Sequence, residues 1–452
     1  EGILMDKNNG AIYDARKLGK PKMIILGVQH MFAMFGATIL VPIITGLDIS
    51  TTLLMAGLGT LLFHCITKFK VPAFLGSSFA FLGGYAAIKA LSPDDPNSML
   101  PYACLGVACA GLIYFILAAV IKAVGIEKVM RFFPPVVTGP IIIAIGLGLA
   151  PSAVSNCTTN WFLAVVALAV IIVFNIWGKG MAKIIPIILG LLISYGTGLV
   201  LYFISQANPD LIQNVPWLFS GGADANGVYQ PIFDFTSLNT ICDNISKGHI
   251  FGSEGLIGIP IHWDKTVFGG IDYSNGALIA SSIIAIVPIA FATMMEHIGD
   301  ICAISSTTGN NYIKDPGLHR TLVGDGLATT LASLFGGPAN TTYGENTGVL
   351  ALTRVYDPRV IRIAAYFAVA VSFFPIVSVI IGSIPSCIIG GISFVLYGMI
   401  SAIGVRNVVE NKVDFKKSRN LIVAAIILVC ALGLSSDTVS FTIGSAAITL
   451  SP

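Results

Sequence analysis

The chain has 452 residues, 55% hydrophobic and 11% charged, against about 25% charged in a typical soluble domain. With long apolar runs along nearly its whole length, it reads as an all-α polytopic membrane protein and not as a soluble globular domain. The net charge of +2 says little and points to no nucleic-acid partner, whereas the distribution of that charge orders the whole chain.

Residues 1–22 are polar and carry Lys7, Arg16, Lys17, Lys20 and Lys22. They read as a cytoplasmic N-terminus without a cleavable signal peptide. Spans are expected at about 23–45, with Gln29-His30, and at 51–67, ending at Lys68 and Lys70. The third, 71–91, holds Leu75-Gly76-Ser77-Ser78-Phe79-Ala80-Phe81, and the fourth covers 99–123. The fifth, 133–152, opens on Pro134-Pro135; the sixth, 161–177, has Trp161 and Trp177 at its ends, as interfacial anchors do; the seventh covers 184–205. After 207–274, the eighth (275–298), ninth (321–337), tenth (341–353), eleventh (360–382), twelfth (384–404) and thirteenth (420–434) follow, with only the approach to a fourteenth. Alternating these spans from a cytoplasmic N-terminus puts every Lys/Arg cluster on the cytoplasmic side. Segment 207–274, with seven acidic residues and two lysines, then falls outside as a cap of loops and a hairpin near Val228–Phe233.

The eight cysteines form no CxxC pair, and most lie within apolar runs as small buried hydrophobes. Only Cys157 and Cys242 fall in expected outer loops, where a disulfide between them is an open alternative. The six histidines lack zinc-ligand spacing and GxxxxGK[ST] is absent, so neither a metal site, a cofactor nor an ATP-driven pump is expected.

Two polar interruptions organise the rest: Ala292-Thr293-Met294-Met295-Glu296-His297-Ile298-Gly299-Asp300, and Asn340-Thr341-Thr342-Tyr343-Gly344-Glu345-Asn346-Thr347-Gly348. From Thr341 to Arg354 there are 14 residues, about 21 Å as a helix against a hydrocarbon core of roughly 30 Å. A short, Gly-interrupted span carrying an acid is the pattern of a discontinuous helix at a transporter's midplane site. Ionised carboxylates at that depth cost at least roughly 2.5–3.5 kcal/mol, and no Lys or Arg is expected nearby, so Glu296 and Glu345 are candidates to bind a polar ligand and carry a proton. The plainer alternative is that each hydrogen-bonds a broken helix end.

Carboxylates accept hydrogen bonds, and freed backbone N–H groups donate them. The ligand should therefore offer N–H or O–H donors; a planar heterocycle with alternating N–H and C=O groups fits such a site, and Phe79 is a candidate to stack on it. Ordinary packing is the alternative for Phe79. His30 is read either as a proton relay or as a helix-packing hydrogen bond. Asp300, four residues after Glu296 and so on the same helical face, belongs either to a proton path or to the cytoplasmic end of its span. His297 points away from Glu296 and reads as structural. Tyr343 and Tyr397 are candidate pocket hydroxyls, Tyr397 more simply as core, with Ser78 and Asn346 as secondary candidates.

An internal repeat matches Gln29-His30 with Glu296-His297, Gly76-Ser77-Ser78-Phe79 with Tyr343-Gly344-Glu345-Asn346, and Pro134-x4-Gly139 with Pro385-x4-Gly390. Seven spans per unit make it an inverted repeat, as in many secondary transporters.

The run Glu345-Asn346-Thr347-Gly348-Val349-Leu350-Ala351-Leu352-Thr353-Arg354 resembles the [Q/E/P]-N-x-G-x4-T-[R/K/G] signature of the nucleobase–ascorbate transporters (nucleobase/cation symporter 2). Gln29-His30, the run Leu75–Phe81 and Asp315-Pro316-Gly317-Leu318-His319-Arg320 are similar to that family as well. Glu at the first signature position after Tyr343-Gly344 most resembles its bacterial uracil permeases.

The resemblance implies 14 spans in two inverted repeats of seven, with spans 3 and 10 short and discontinuous at the substrate site. It implies a core domain of spans 1–4 (23–129) and 8–11 (275–382), a gate domain of spans 5–7 (130–206) and 12–14 (383–452), and an outer cap over 207–274. It implies uracil bound by Glu296 and Glu345, with Phe79, Tyr343 and Gly344 lining the site. It further implies proton symport in the inner or plasma membrane, the proton as coupling ion, and homodimers formed through gate domains. Two departures stand out: Asp300 occupies a position that is His in some uracil permeases, and the outer segment is long for the family. The alternatives weighed are a xanthine or urate transporter on the same fold, an anion carrier of the related sulfate-transporter architecture, and a membrane enzyme or receptor. Two interior acids argue against anions, and no nucleophile–base pair supports an enzyme.

Overall fold

The computed structural model describes residues 11–125, 128, 134–183, 185–224, 226–434, 439–443 and 446–450; the side chains of Ala37, Glu345, Leu434 and the last two strands lie outside that description. In hydrocarbon every backbone N–H and C=O must be satisfied within the protein, which favours helices. The chain runs through α1 (Lys20–Thr45), α2 (Ile49–Ile66), β1 (Leu75–Ser77), α3 (Leu82–Lys89), α4 (Leu100–Val124), α5 (Pro135–Gly148), α6 (Ala150–Cys157), α7 (Trp161–Trp177) and α8 (Pro186–Ala207). A hairpin, β2 (Ser220–Ala223) and β3 (Tyr229–Pro231), leads to α9 (Thr236–Ser246), α10 (Gly276–Ile286), α11 (Ile289–Thr308) and α12 (Leu318–Leu334). Then come β4 (Asn340–Thr342), α13 (Gly344–Thr353), α14 (Pro358–Ser372), α15 (Pro375–Gly382), α16 (Ser386–Glu410), α17 (Ser418–Leu434) and the antiparallel pair β5 (Val439–Ile443) and β6 (Ala446–Leu450). Local chemistry sets several boundaries. Asp48, Asn160, Asn275 and Asp357 each accept a backbone N–H from the helix they precede, and left-handed Gly46 and Gly309 close α1 and α11.

Among the described residues, seven helices are long and apolar enough to cross a membrane; counting α14 and α15, which bend by 87°, as one span makes eight. The bend falls at Pro375, whose ring and missing N–H break the helix. Several expected spans have different bounds. The eighth continues to Thr308, so Asp300 sits about two turns inside its helix and not at the end. The fifth runs on through α6 to Cys157, which is buried at a helix end and not in a loop. Cys242 lies exposed in α9, and both cysteines are free thiols, so the disulfide is not formed.

The chain forms two compact units. The first comprises Glu1–Pro134, Ile259–Phe373 and Thr438–Ser451, and the second Pro135–Gly258, Phe374–Asp437 and Pro452; segment 207–274 is thus divided between them. In the first, α2 packs on α14 while α12 packs on α4, around a core that includes Phe63, Tyr85, Tyr114, Ile298 and Leu322. Glycine permits the close approach: a Cβ on Gly57 would meet Ala365 O at 2.7 Å, and one on Gly111 would meet Thr330 Oγ1 at 2.4 Å. In the second, α16 packs on α5, α6 and α7, and Phe233 stacks on Phe235 beside Tyr202.

Candidate functional site

The first unit brings the two polar interruptions to one place. β1 and β4 pair antiparallel, Leu75 with Thr342, Gly76 with Thr341 and Ser77 with Asn340. The ladder continues at both ends, Ser78 N–H donating to Ala339 O (2.9 Å) and Tyr343 N–H to Phe74 O (3.0 Å). A short helix follows each strand: a 3-10 turn, Phe79–Phe81, leading into α3, and α13 directly. Neither Ser78 nor Tyr343 caps the helix it precedes with its own side chain, so the first-turn N–H groups, which carry the positive ends of the helix dipoles, are left to other acceptors. The antiparallel pairing sends the two helices off from opposite ends of the ladder. The local twofold of the ladder relates Gly76 to Thr341, and hence Phe79 to Gly344. Sequence matching had set Phe79 against Asn346, two residues out, because the repeat was aligned on residue type without the strand register.

Tyr343 ties the site together: its hydroxyl donates to Ser77 O at 2.9 Å and receives Thr38 Oγ1 at 3.4 Å, while Ser77 Oγ donates to Thr38 O at 3.1 Å. Phe79 packs beside Tyr343 in a small cluster with Met34 and Phe74. Ser78 is buried beside them. On α11, Glu296 is exposed and Asp300 half-buried. Asp300 Oδ2 accepts from Thr342 Oγ1 at 3.1 Å, and a Cβ on Gly344 would lie 3.1 Å from Asp300 Oδ1. Glycine at 344 therefore lets a carboxylate reach the start of α13. Glu345 is the second residue of α13, and its side chain is among those not described.

His30, on α1, is fully buried facing Asn346. Both its ring nitrogens, both amide atoms of Asn346, Gln29 Oε1 and Thr347 Oγ1 are buried without an aligned hydrogen-bond partner, an uncommon concentration of unsatisfied polar atoms. Tyr397 is buried in α16 of the second unit, so the first unit's site is built without it. His297, read as structural, is buried with Nδ1 3.2 Å from Thr342 Oγ1 and 3.3 Å from Asp325 Oδ2. Asp325, in the middle of α12 and fully buried, is the residue that sequence reasoning missed. The signal was present: an acid within the ninth apolar run.

The fold defines a class first. The transmembrane domain of a cyanobacterial bicarbonate transporter, BicA, superposes with a TM-score of 0.64 at 14% identity, covering 94% of this chain and 98% of that one. The structure of SLC26A9 follows at 0.50 and 12%, covering 94% and 63%. The molecule is therefore a multi-pass membrane protein with a transporter fold. The permease family matches residues 21–439, and the chain belongs to it. It is similar to the uracil permeases of Bacillus caldolyticus (39% identical over 421 residues, 91% of this chain and 85% of the relative) and Bacillus subtilis (38% over 423 residues, 91% and 85%). It is also similar to the putative pyrimidine permease RutG of Escherichia coli (34% over 440 residues, 96% and 89%). The nucleobase–ascorbate resemblance is thereby upheld, and the family is one of transporters, not enzymes.

Proposed function

We propose that the protein imports uracil across the cell membrane as a proton symporter, by movement of a core domain against a gate domain. The observation that carries the substrate is the identity of 39% over 421 residues to a protein named uracil permease. The chemistry of the first unit supports the reading. A heterocycle with alternating N–H and C=O groups would find carboxylate acceptors in Glu296 and Asp300 of α11 and backbone N–H donors at the starts of α3 and α13, with Phe79 beside them, and Glu345 of α13 is read as a further acceptor. Glu296 and Glu345 bind the ring; Phe79, Tyr343 and Gly344 line it; Ser78 and Asn346 are secondary contacts. Glu296, Glu345, Asp300 and His30 are the candidates for the coupled proton.

In this reading the first compact unit is the core and the second the gate. The short apolar helices Phe79–Lys89, Trp161–Trp177 and Ser418–Gly433, with α12 and α13, bring the eight to thirteen of the spans in a fourteen-span inverted repeat. The N-terminus is cytoplasmic, and the active form is a homodimer through gate domains. The test is uptake of radiolabelled uracil by proteoliposomes with and without an inward proton gradient. Accumulation that the gradient stimulates and a protonophore abolishes supports symport. Counterflow without gradient response keeps the substrate and removes the proton. Xanthine or urate outcompeting uracil would replace the substrate with a purine.

A further inference from the structure

Beside the strand pair, four polar side chains from α12, α11 and β4 form a line. Asp325 (α12), His297 (α11), Thr342 (β4) and Asp300 (α11) follow one another at 3.3, 3.2 and 3.1 Å. Asp325 and His297 are fully buried and Thr342 nearly so. Directionality is the informative point. A threonine hydroxyl has one hydrogen. If it is given to Asp300, Thr342 Oγ1 can only accept from His297, and His297 must carry its proton on Nδ1. If the proton sits on Nε2, Nδ1 is an acceptor and competes with Asp300 for the same hydrogen.

Two observations choose between these arrangements. His297 Nε2 is buried without an aligned partner, so a proton there would be an unsatisfied donor in a low-dielectric interior. The Asp325 carboxylate lies 3.3 Å from Nδ1, off the line of an aligned hydrogen bond but close enough to attract a proton to that nitrogen. The backbone N–H of Thr342 also faces Asp325, leaving the carboxylate as the acceptor of the group.

We propose that Asp325 and His297 are positioning residues: Asp325 holds the His297 proton on Nδ1, and this commits the Thr342 hydroxyl to Asp300 at the start of α13. Asp300 is thereby oriented from behind by residues that need not meet the substrate. The consequence for transport rests on the function proposed above; the tautomer does not.

The experiment is done on the full chain, labelled with 15N-histidine in lipid nanodiscs, with His297→Gln identifying the His297 resonances. The wild type is expected to show the proton on Nδ1 and an unprotonated Nε2. Asp325→Asn, of the same volume, is expected to move a measurable fraction of that proton to Nε2. In uptake, Thr342→Val keeps the shape and removes the hydroxyl, and the maximal rate is expected to fall about tenfold or more, the usual scale for losing a hydrogen bond to a charged group. Thr342→Ser, which restores the hydroxyl, should recover most of the rate, a rescue that packing alone does not predict. A wild-type proton on Nε2, or Thr342→Val transporting like wild type, overturns the proposal. If no nucleobase is transported at all, the reading of function fails while the resonance measurement still decides the tautomer.

Discussion

Gly76→Ala is the sharpest perturbation of the strand pair. A Cβ at Gly76 would stand 2.3 Å from Tyr343 Cε2 and 2.7 Å from Thr38 Oγ1. Ordinary contact begins near 3.4 Å, so the Tyr343 ring must retreat by about 1 Å at fixed backbone. Its hydroxyl is 2.9 Å from Ser77 O, and a retreat of that size carries it beyond hydrogen-bonding distance. Overpacking costs about 1–3 kcal/mol and the lost hydrogen bond about 0.5–1.5 kcal/mol, together roughly 1.5–4.5 kcal/mol. If even 1.4 kcal/mol of this falls on the binding-competent arrangement, affinity drops about tenfold. Equilibrium binding of labelled uracil to purified protein measures the change. Gly83→Ala is the matched control in the adjoining α3, because nothing lies within 4 Å of the Cβ it would add; it should bind like wild type. Equal affinities for the two variants would refute the assignment of Tyr343 and its strand pair to the ligand site.

Gly111→Val should prevent assembly of the first unit, since even its Cβ meets Thr330 Oγ1 at 2.4 Å and Gly326 O at 2.7 Å; a monodisperse, transport-competent variant would contradict the α4–α12 packing. Lys70→Ala removes an ion pair with Asp315 whose side chains are 44% and 65% exposed. Such pairs are worth about 0–1 kcal/mol, so thermal stability and uptake should stay near wild type. The N-terminal segment is clasped to the start of α14: Ala15 N–H donates to Asp357 Oδ2 at 2.8 Å, and Arg359 Nη1 reaches Asp14 Oδ1 at 3.0 Å. Arg16, by hydrogen bond and charge, and Arg359, by charge, hold the Asp14 carboxyl well below the usual range. A lowered carboxyl pKa stabilises above the unfolded value near 3.9 and is lost as pH falls through the folded one. Hydrogen exchange of residues 12–18, corrected for intrinsic rate, should therefore show the same protection at pH 5 as at pH 7, and protection lost by pH 5 would count against the clasp.

Much of this protein is legible in its order of residues, because hydrocarbon leaves few choices. Apolar runs bounded by Lys and Arg become helices, and α7 begins and ends at the two tryptophans, Trp161 and Trp177, expected to anchor it. The shortness of the stretch before Arg354 announces that α13 is not a full span. The four-residue spacing of Glu296 and Asp300 places them on one helical face whatever surrounds them. What periodicity cannot carry is which distant segments meet. The Tyr343 hydroxyl finds Ser77 across 266 positions of sequence, and strand register, not residue likeness, sets Phe79 against Gly344. Nothing in the order of residues links Asp325 to His297; only the packing of α12 on α11 and β4 makes them neighbours. A helix's own pattern records which face is buried, whereas the identity of the group buried against it depends on how the helices cross, and that is settled by close packing in three dimensions.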